Sequence, residues 1–126
     1  MWKSLTPQLP VSDVRAAQEY YRDVLGFQIA WIWLNDYGAV YNGDVQIYFT
    51  KVDGAPPSMC CCADVEDADA VYESYRARGA RIVSEIETKP WGMREFTIED
   101  PDGHLFRVGH GVKNVSEIDE FTTGGG

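Results

Sequence analysis

The residues of this chain that can do chemistry are three adjacent cysteines, two histidines, one late arginine and a set of alternating aromatics. Cys60-Cys61-Cys62 can offer a thiolate to a soft metal or act as a nucleophile. A nucleophilic Cys60 needs a base, and neither His104 nor His110 stands near it in the sequence. Neighbouring residues of a strand face opposite ways, so the run cannot build an ordinary disulfide framework. No CxxC spacing supports a structural zinc site. The plainer reading is that a strand cysteine is a small buried hydrophobe. A lone histidine at a strand end, as His104 and His110 are, serves far more often in hydrogen bonding than as a metal ligand.

Alternation places Trp31 and Trp33 on one strand face, with Tyr48 on a nearby strand. Flat aromatic surfaces stack on planar heterocycles, and a cation over an indole gains ~0.5–2 kcal/mol. Asp36 and Asp44 can pair with an amine. The competing reading packs both tryptophans on a helix or at a subunit contact. Arg107, if it faces inward, must be paired, and Glu95 on a neighbouring strand is the candidate partner. Otherwise Arg107 grips a ligand carboxylate, which would argue against a cationic ligand.

An internal repeat positions these residues. Val11-Ser12-Asp13 recurs as Val65-Glu66-Asp67, a period of about 54 residues. Each copy follows a strand-like run (Thr6 to Pro10; Cys60 to Asp64) and precedes a helix closed by glycine (Gly26; Gly79). The first helix carries Val14, Ala17, Tyr21, Val24 and Leu25 at helical spacing, and the second carries Ala70, Val71, Tyr75 and Ala77. In the first copy, Ile29, Trp31 and Trp33 alternate with Ala30, Ile32 and Leu34. Tyr37 to Tyr41 and Val45 to Thr50 follow, joined through Asn42-Gly43, a type I′ hairpin signal. Gly54-Ala55-Pro56-Pro57 links the copies. In the second copy the strands run Arg81 to Glu87, Arg94 to Glu99 and Leu105 to Val108. Lys89-Pro90-Trp91-Gly92 and Asp100-Pro101-Asp102-Gly103 form the turns. Each copy thus reads βαβββ, too small to close a core alone.

Composition narrows the function. The chain has 126 residues, 44% of them apolar, enough for one packed domain. No run approaches the ~20 apolar residues of a membrane span, and the N-terminus lacks a secretory pattern. Free cysteines fit a reducing compartment, so a cytoplasmic location is expected. The net charge of −9 argues against nucleic acid and permits a cationic ligand, although acidic surfaces mostly serve solubility.

The repeat, the segment Leu9-Pro10-Val11-Ser12-Asp13, the helix end Tyr20-Tyr21-Arg22-Asp23-Val24-Leu25-Gly26-Phe27 and the turn Asp100-Pro101-Asp102-Gly103 resemble the vicinal-oxygen-chelate superfamily. That superfamily groups glyoxalase I, extradiol dioxygenases, and fosfomycin- and bleomycin-resistance proteins. The resemblance covers about Leu5 to Gly111. It implies an α+β fold in which two βαβββ modules form a curled mixed sheet around a cavity. Enzymes of the superfamily hold a divalent metal with His, Glu or Gln. The corresponding positions here are Thr6, Tyr48, Cys60 and Arg107, of which only Cys60 can bind a metal. A one-residue slip would bring in Gln8 or Gln46. The resemblance is nearest to the bleomycin-resistance proteins, which lack the metal, form dimers and sequester a cationic antibiotic in grooves between subunits.

These readings predict one domain over 1–112, with modules at about 5–53 and 58–111, and a polar tail at 113–126. They predict a metal-independent, cofactor-free homodimer that binds a planar or cationic small molecule of the bleomycin type. No catalytic or metal residue is assigned. The ligand-binding candidates are Trp31, Trp33, Tyr48, Cys60, Trp91 and Arg107. Neither nucleic acid nor a membrane is an expected partner. The alternative is a metal-dependent glyoxalase-like lyase or isomerase, or a dioxygenase, using Gln8, Gln46, Cys60 or a His. A third reading is a sensor or carrier without drug specificity.

Overall fold

The computed structural model describes residues 1–112; the expected tail at 113–126, with its helix over 115–121 and its disordered glycines, lies outside the described residues. The elements run β1 (Gln8–Val11), α1 (Val14–Asp23), β2 (Gln28–Trp33), β3 (Tyr37–Asn42), β4 (Val45–Lys51), β5 (Cys60–Asp64), α2 (Ala68–Ala77), β6 (Arg81–Thr88), β7 (Met93–Glu99) and β8 (Leu105–Gly111). The fold is α+β, with two four-stranded mixed sheets ordered β1-β4-β3-β2 and β5-β8-β7-β6. In each sheet the first strand pairs parallel to the last, and the other pairs are antiparallel. The chain divides into two compact units. The first is Met1–Met59 with Asp100–His104, and the second is Cys60–Glu99 with the chain from Leu105 on. Among the described residues no helix is long and apolar enough to cross a membrane.

In the first unit, Asp13 caps α1 by accepting from the Ala16 amide at 2.9 Å. Asn35 Oδ1 takes a second free amide of that helix end, Arg15 N, at 2.9 Å. The buried face of α1 is Val14, Ala17, Gln18 and Tyr21, packed on a core that includes Leu9, Val40, Ile47 and Phe49. Gln18 is the one polar residue of that face. A polar helix residue reads as exposed, yet Gln18 is fully buried and donates to the Trp31 carbonyl at 2.7 Å and the Ala39 carbonyl at 3.1 Å.

The turn Asp100–His104 completes this unit. The Asp100 carboxylate, 3% exposed, accepts from the amides of Asp102 and His104 and from the Tyr21 hydroxyl at 2.6 Å. His104 is fully buried. Its Nδ1 accepts from Met59 N at 3.1 Å, so its Nε2 carries the proton and donates to the Pro10 carbonyl at 2.6 Å. Ser12 donates to Asp102 through both its amide and its hydroxyl.

In the second unit, Asp67 caps α2, and His110 Nδ1 accepts from Ala68 N at 2.9 Å. The helix buries Ala68 and Tyr72 against Phe96, with ring centroids 5.1 Å apart for the Tyr72–Phe96 pair. The expected apolar face of Ala70, Val71, Tyr75 and Ala77 is therefore rotated. Val71 and Tyr75 are half-buried and the two alanines are exposed. Tyr72 sets the helix phase, because one large ring outweighs several methyl groups in area removed from water.

Two further expectations are corrected. Asn42 pairs with Val45, so the β3–β4 turn is Gly43–Asp44, with Gly43 alone at positive φ (58°). That is the glycine-first II′ pattern, not the I′ turn at Asn42–Gly43. The I′ geometry falls instead between β2 and β3: Leu34 and Asn35 have φ of 53° and 55°, and Asp36 N donates to the Trp33 carbonyl at 3.0 Å. In addition, a bulge between Ile29 and Trp31 resets the parity of β2. Ile29 pairs with buried Val40, whereas Trp31 and Trp33 pair with Ala39 and Tyr37, so the two tryptophans share a face that excludes Ile29.

Leu34 is exposed and sits in a backbone region that disfavours a bulky L side chain. Leu34→Asn should therefore raise unfolding free energy by about 1 kcal/mol. Urea denaturation measures this, and an unchanged or lower midpoint would show that the turn carries no strain.

Candidate functional site

The second unit holds a cavity of about 300 Å³ on its sheet. Its lining is Ser84, Lys89, Trp91, Glu95, Thr97 and Arg107, with Phe96 at its floor, whose ring is turned to α2 on the other sheet face. A tight hairpin loop positions the tryptophan. Lys89 N donates to the Met93 carbonyl and Gly92 N to the Lys89 carbonyl, enclosing Pro90, Trp91 and Gly92. Pro90 presets its own φ, and Gly92 adopts φ of 87°, the bulged three-residue hairpin pattern. Trp91 is 41% exposed, and its Nε1 donates to Glu95 Oε1 at 3.1 Å.

Glu95 is the polar centre of the cavity. Its side chain is only 8% exposed, and the same Oε1 accepts from Arg107 Nη2 at 2.8 Å. The expected Arg107–Glu95 pair therefore exists. Register explains it. Glu95 lies opposite Gly109, and Arg107 is the diagonal neighbour two residues back on β8. A Cβ on Gly109 would stand 2.7 Å from the Glu95 Cβ, so only glycine leaves room for the carboxylate. The bond to Glu95, then its charge, raise the pKa of Arg107, with smaller contributions from Cys62 and Cys60. The guanidinium carbon lies 5.8 Å from the Trp91 ring centroid and the Lys89 ammonium 5.9 Å. Lys89 also bonds Glu87, whose carboxylate it holds below the usual range.

On β5, Cys60 and Cys62 are exposed, and Cys62 pairs in register with Arg107. Cys61 is half-buried. Burial first, then the neighbouring sulfurs, push its thiol pKa up.

The first unit gathers a different group. Trp31, Tyr37 and Tyr48 meet edge to face or tilted, with centroids 5.0 Å (Trp31–Tyr37), 5.6 Å (Trp31–Tyr48) and 5.8 Å (Tyr37–Tyr48) apart. All three share the sheet face away from α1, because they pair with Ala39, Thr50 and Gln8 and not with the buried Ile47–Phe49 set. Trp33 is 62% exposed on the same face.

Of the six sequence candidates, the structure thus joins Trp31 to Tyr48, and Trp91 to Arg107 with Cys60 nearby, and leaves Trp33 at a strand end. Tyr37, Lys89, Ser84 and Thr97 were missed. Tyr37 was legible as the pairing partner of Trp33, and Thr97 as the cross-strand neighbour of Arg107. Nothing in the sequence marks Lys89 or Ser84.

The donors fit a metal poorly. Arg107 is ion-paired, Tyr48 is one of three packed rings, and both ring nitrogens of His104 are used in hydrogen bonds. Among the described residues no three His, Cys, Asp or Glu side chains are grouped to hold an ion.

This chain belongs to the Glyoxalase/Bleomycin resistance protein/Dioxygenase superfamily, whose family model matches residues 5–108. It is 28% identical over 120 residues to a bleomycin resistance protein of Klebsiella pneumoniae, an alignment that covers 86% of this chain and 92% of that protein. It is 26% identical to the bleomycin-binding protein from bleomycin-producing Streptomyces verticillus, solved with copper(II)-bleomycin. That match has a TM-score of 0.71 and covers 88% of this chain and 99% of the other. A lactoylglutathione lyase from Agrobacterium tumefaciens shares the fold, with 21% identity, a TM-score of 0.73, and coverage of 86% and 93%.

Removing one partner of the Glu95–Arg107 pair leaves a buried carboxylate with only the indole N–H. Arg107→Met should cost about 1–3 kcal/mol, and adding Glu95→Gln should recover part of the loss. Denaturant titration of the singles and the double closes the cycle. Zero coupling between the two substitutions would mean that the pair does not stabilise the fold.

Proposed function

We propose that this protein binds a planar or cationic small molecule of the bleomycin type and protects by sequestration, as a cytoplasmic homodimer whose two βαβββ modules act as one domain over 1–112. The observation that carries the reading is the Trp31–Tyr37–Tyr48 cluster. Three large rings lie outside the core, on an open sheet face, with Trp31 still 41% exposed. Aromatic side chains left out of a core present stacking surface to flat heterocycles. The bleomycin-binding relatives support the choice of ligand class. The poor metal donors favour binding over metal-dependent chemistry at these positions.

Titration with bleomycin, followed by tryptophan fluorescence, should show saturable binding. Trp31→Ala should weaken it by about tenfold or more, the scale of one lost stacking contact. Equal affinities for the wild type and for the Trp31→Ala, Trp33→Ala and Trp91→Ala proteins would refute stacking. Calorimetry of chelator-treated protein with Ni²⁺, Zn²⁺ and Mn²⁺ should show no stoichiometric binding. One tightly held ion per chain would instead move the function to the glyoxalase-like or dioxygenase class.

A further inference from the structure

We infer that the cavity of the second unit is a carboxylate-recognising subsite, and that the ligand it takes is an arene or heteroarene bearing a carboxylate. The inference rests on the reading of this protein as a small-molecule binder and names what one end of its ligand must carry.

The lining holds one carboxylate, Glu95, and two cations, Arg107 and Lys89, of which Lys89 is ion-paired with Glu87 outside the cavity lining. The Glu95 carboxylate is already ion-paired through one of its oxygens. Its Oε1 already accepts from Trp91 and Arg107, and its side chain is 8% exposed. A ligand ammonium entering the cavity would meet an anion whose charge Arg107 already balances. It would also meet a Trp91 ring that already has two protein cations within 6 Å of its centroid.

An anion meets the opposite situation. Arg107 donates one hydrogen bond among the described residues, through Nη2 to Glu95, and its side chain is 42% exposed. The guanidinium carries five N–H donors in a planar fork that matches a carboxylate. Glu95 does not quench this role. It fixes the rotamer of Arg107 from one edge, so less side-chain entropy is lost when the other edge grips a ligand. Ser84 and Thr97 line the same cavity and bring hydroxyls that can donate to the second carboxylate oxygen. Trp91, 41% exposed, supplies the apolar surface that favours an aryl group over a bare anion such as acetate. The volume, about 300 Å³, is at the small end of ligand cavities and suits one ring system with its acid, not a whole antibiotic.

The net charge of −9 does not oppose this assignment. Exposed charges more than about 10 Å away are largely screened at ordinary ionic strength, whereas a guanidinium in contact with the ligand is not.

The test compares three probes of one shape on the full chain: 2-naphthoate, 2-naphthamide and 2-naphthylmethylammonium, with bleomycin titrated in parallel. The acid should bind at least about tenfold tighter than the amide, the scale of one charge-assisted contact, and the ammonium should bind weakest. Arg107→Lys keeps a cation beside Glu95 but loses the fork, and should reduce the preference for the acid. The double variant Glu95→Gln/Arg107→Gln strands no buried charge and should abolish that preference while still melting cooperatively. Equal binding of acid and amide by the wild type would overturn the subsite, as would a preference that survives in the double variant. If bleomycin binds and the acid has no advantage, the subsite falls and the proposed function stands. If the acid is preferred and bleomycin does not bind, the subsite stands and the bleomycin reading falls. If neither bleomycin nor any naphthyl probe binds, both fall.

Discussion

A buried carboxylate must be partnered, and the need of Glu95 for partners shapes much of the second unit. Two donors converge on one oxygen, and each comes from a different element. Arg107 reaches it because β7 and β8 pair in a register that sets a glycine opposite Glu95. Trp91 reaches it because a three-residue loop turns the chain back within four residues. Shift the β7–β8 register by one residue and the arginine moves to the helix-packed face, where Phe106 and Val108 now lie. Ion pair, loop and strand pairing are therefore one constraint seen at three scales.

Much of this was legible in the sequence, and the successes have a common cause. The start of α1 was recognisable to within one residue, because Ser-Asp after a strand-like run is a helix-start signal, but the cap expected at Ser12 falls on Asp13. The Arg107–Glu95 pair was accessible because alternation puts both residues on one face of neighbouring strands. The failures also share a cause, since each needed information from a second element. Asn42-Gly43 is a hairpin dipeptide, but pairing continues through Asn42 and moves the turn one residue on. Ile29 follows the period of its own strand until a bulge resets it. Gln18 carries no local sign that two strand carbonyls await its amide. Lys89 and Ser84 enter the cavity through loop and bulge geometry, which has no period to read.

Local and global charge separate in this molecule. The whole chain is strongly acidic, yet the lining of the cavity on the second unit's sheet holds two cations and one carboxylate. Net charge acts at a distance and is weakened by salt, while contact groups act within a few ångströms. Composition permitted a cationic ligand without calling for one; the side chains in contact with the cavity bear on what it can hold.

The grouping of Asp100–His104 with the first unit bears on the order in which the molecule assembles. As the chain leaves the ribosome, Met1–Met59 emerges first. At that stage the Tyr21 hydroxyl, the Pro10 carbonyl and the Met59 amide lack the partners they have in the finished fold. Those partners are synthesised some forty residues later, after most of the second repeat. The two repeats therefore do not mature as two independent beads, although N-terminal-first folding would favour that route. The parallel closures of β1 on β4 and of β5 on β8 add long-range contacts that slow assembly further. A nascent first repeat waits, incompletely satisfied, for a short turn from the end of the second.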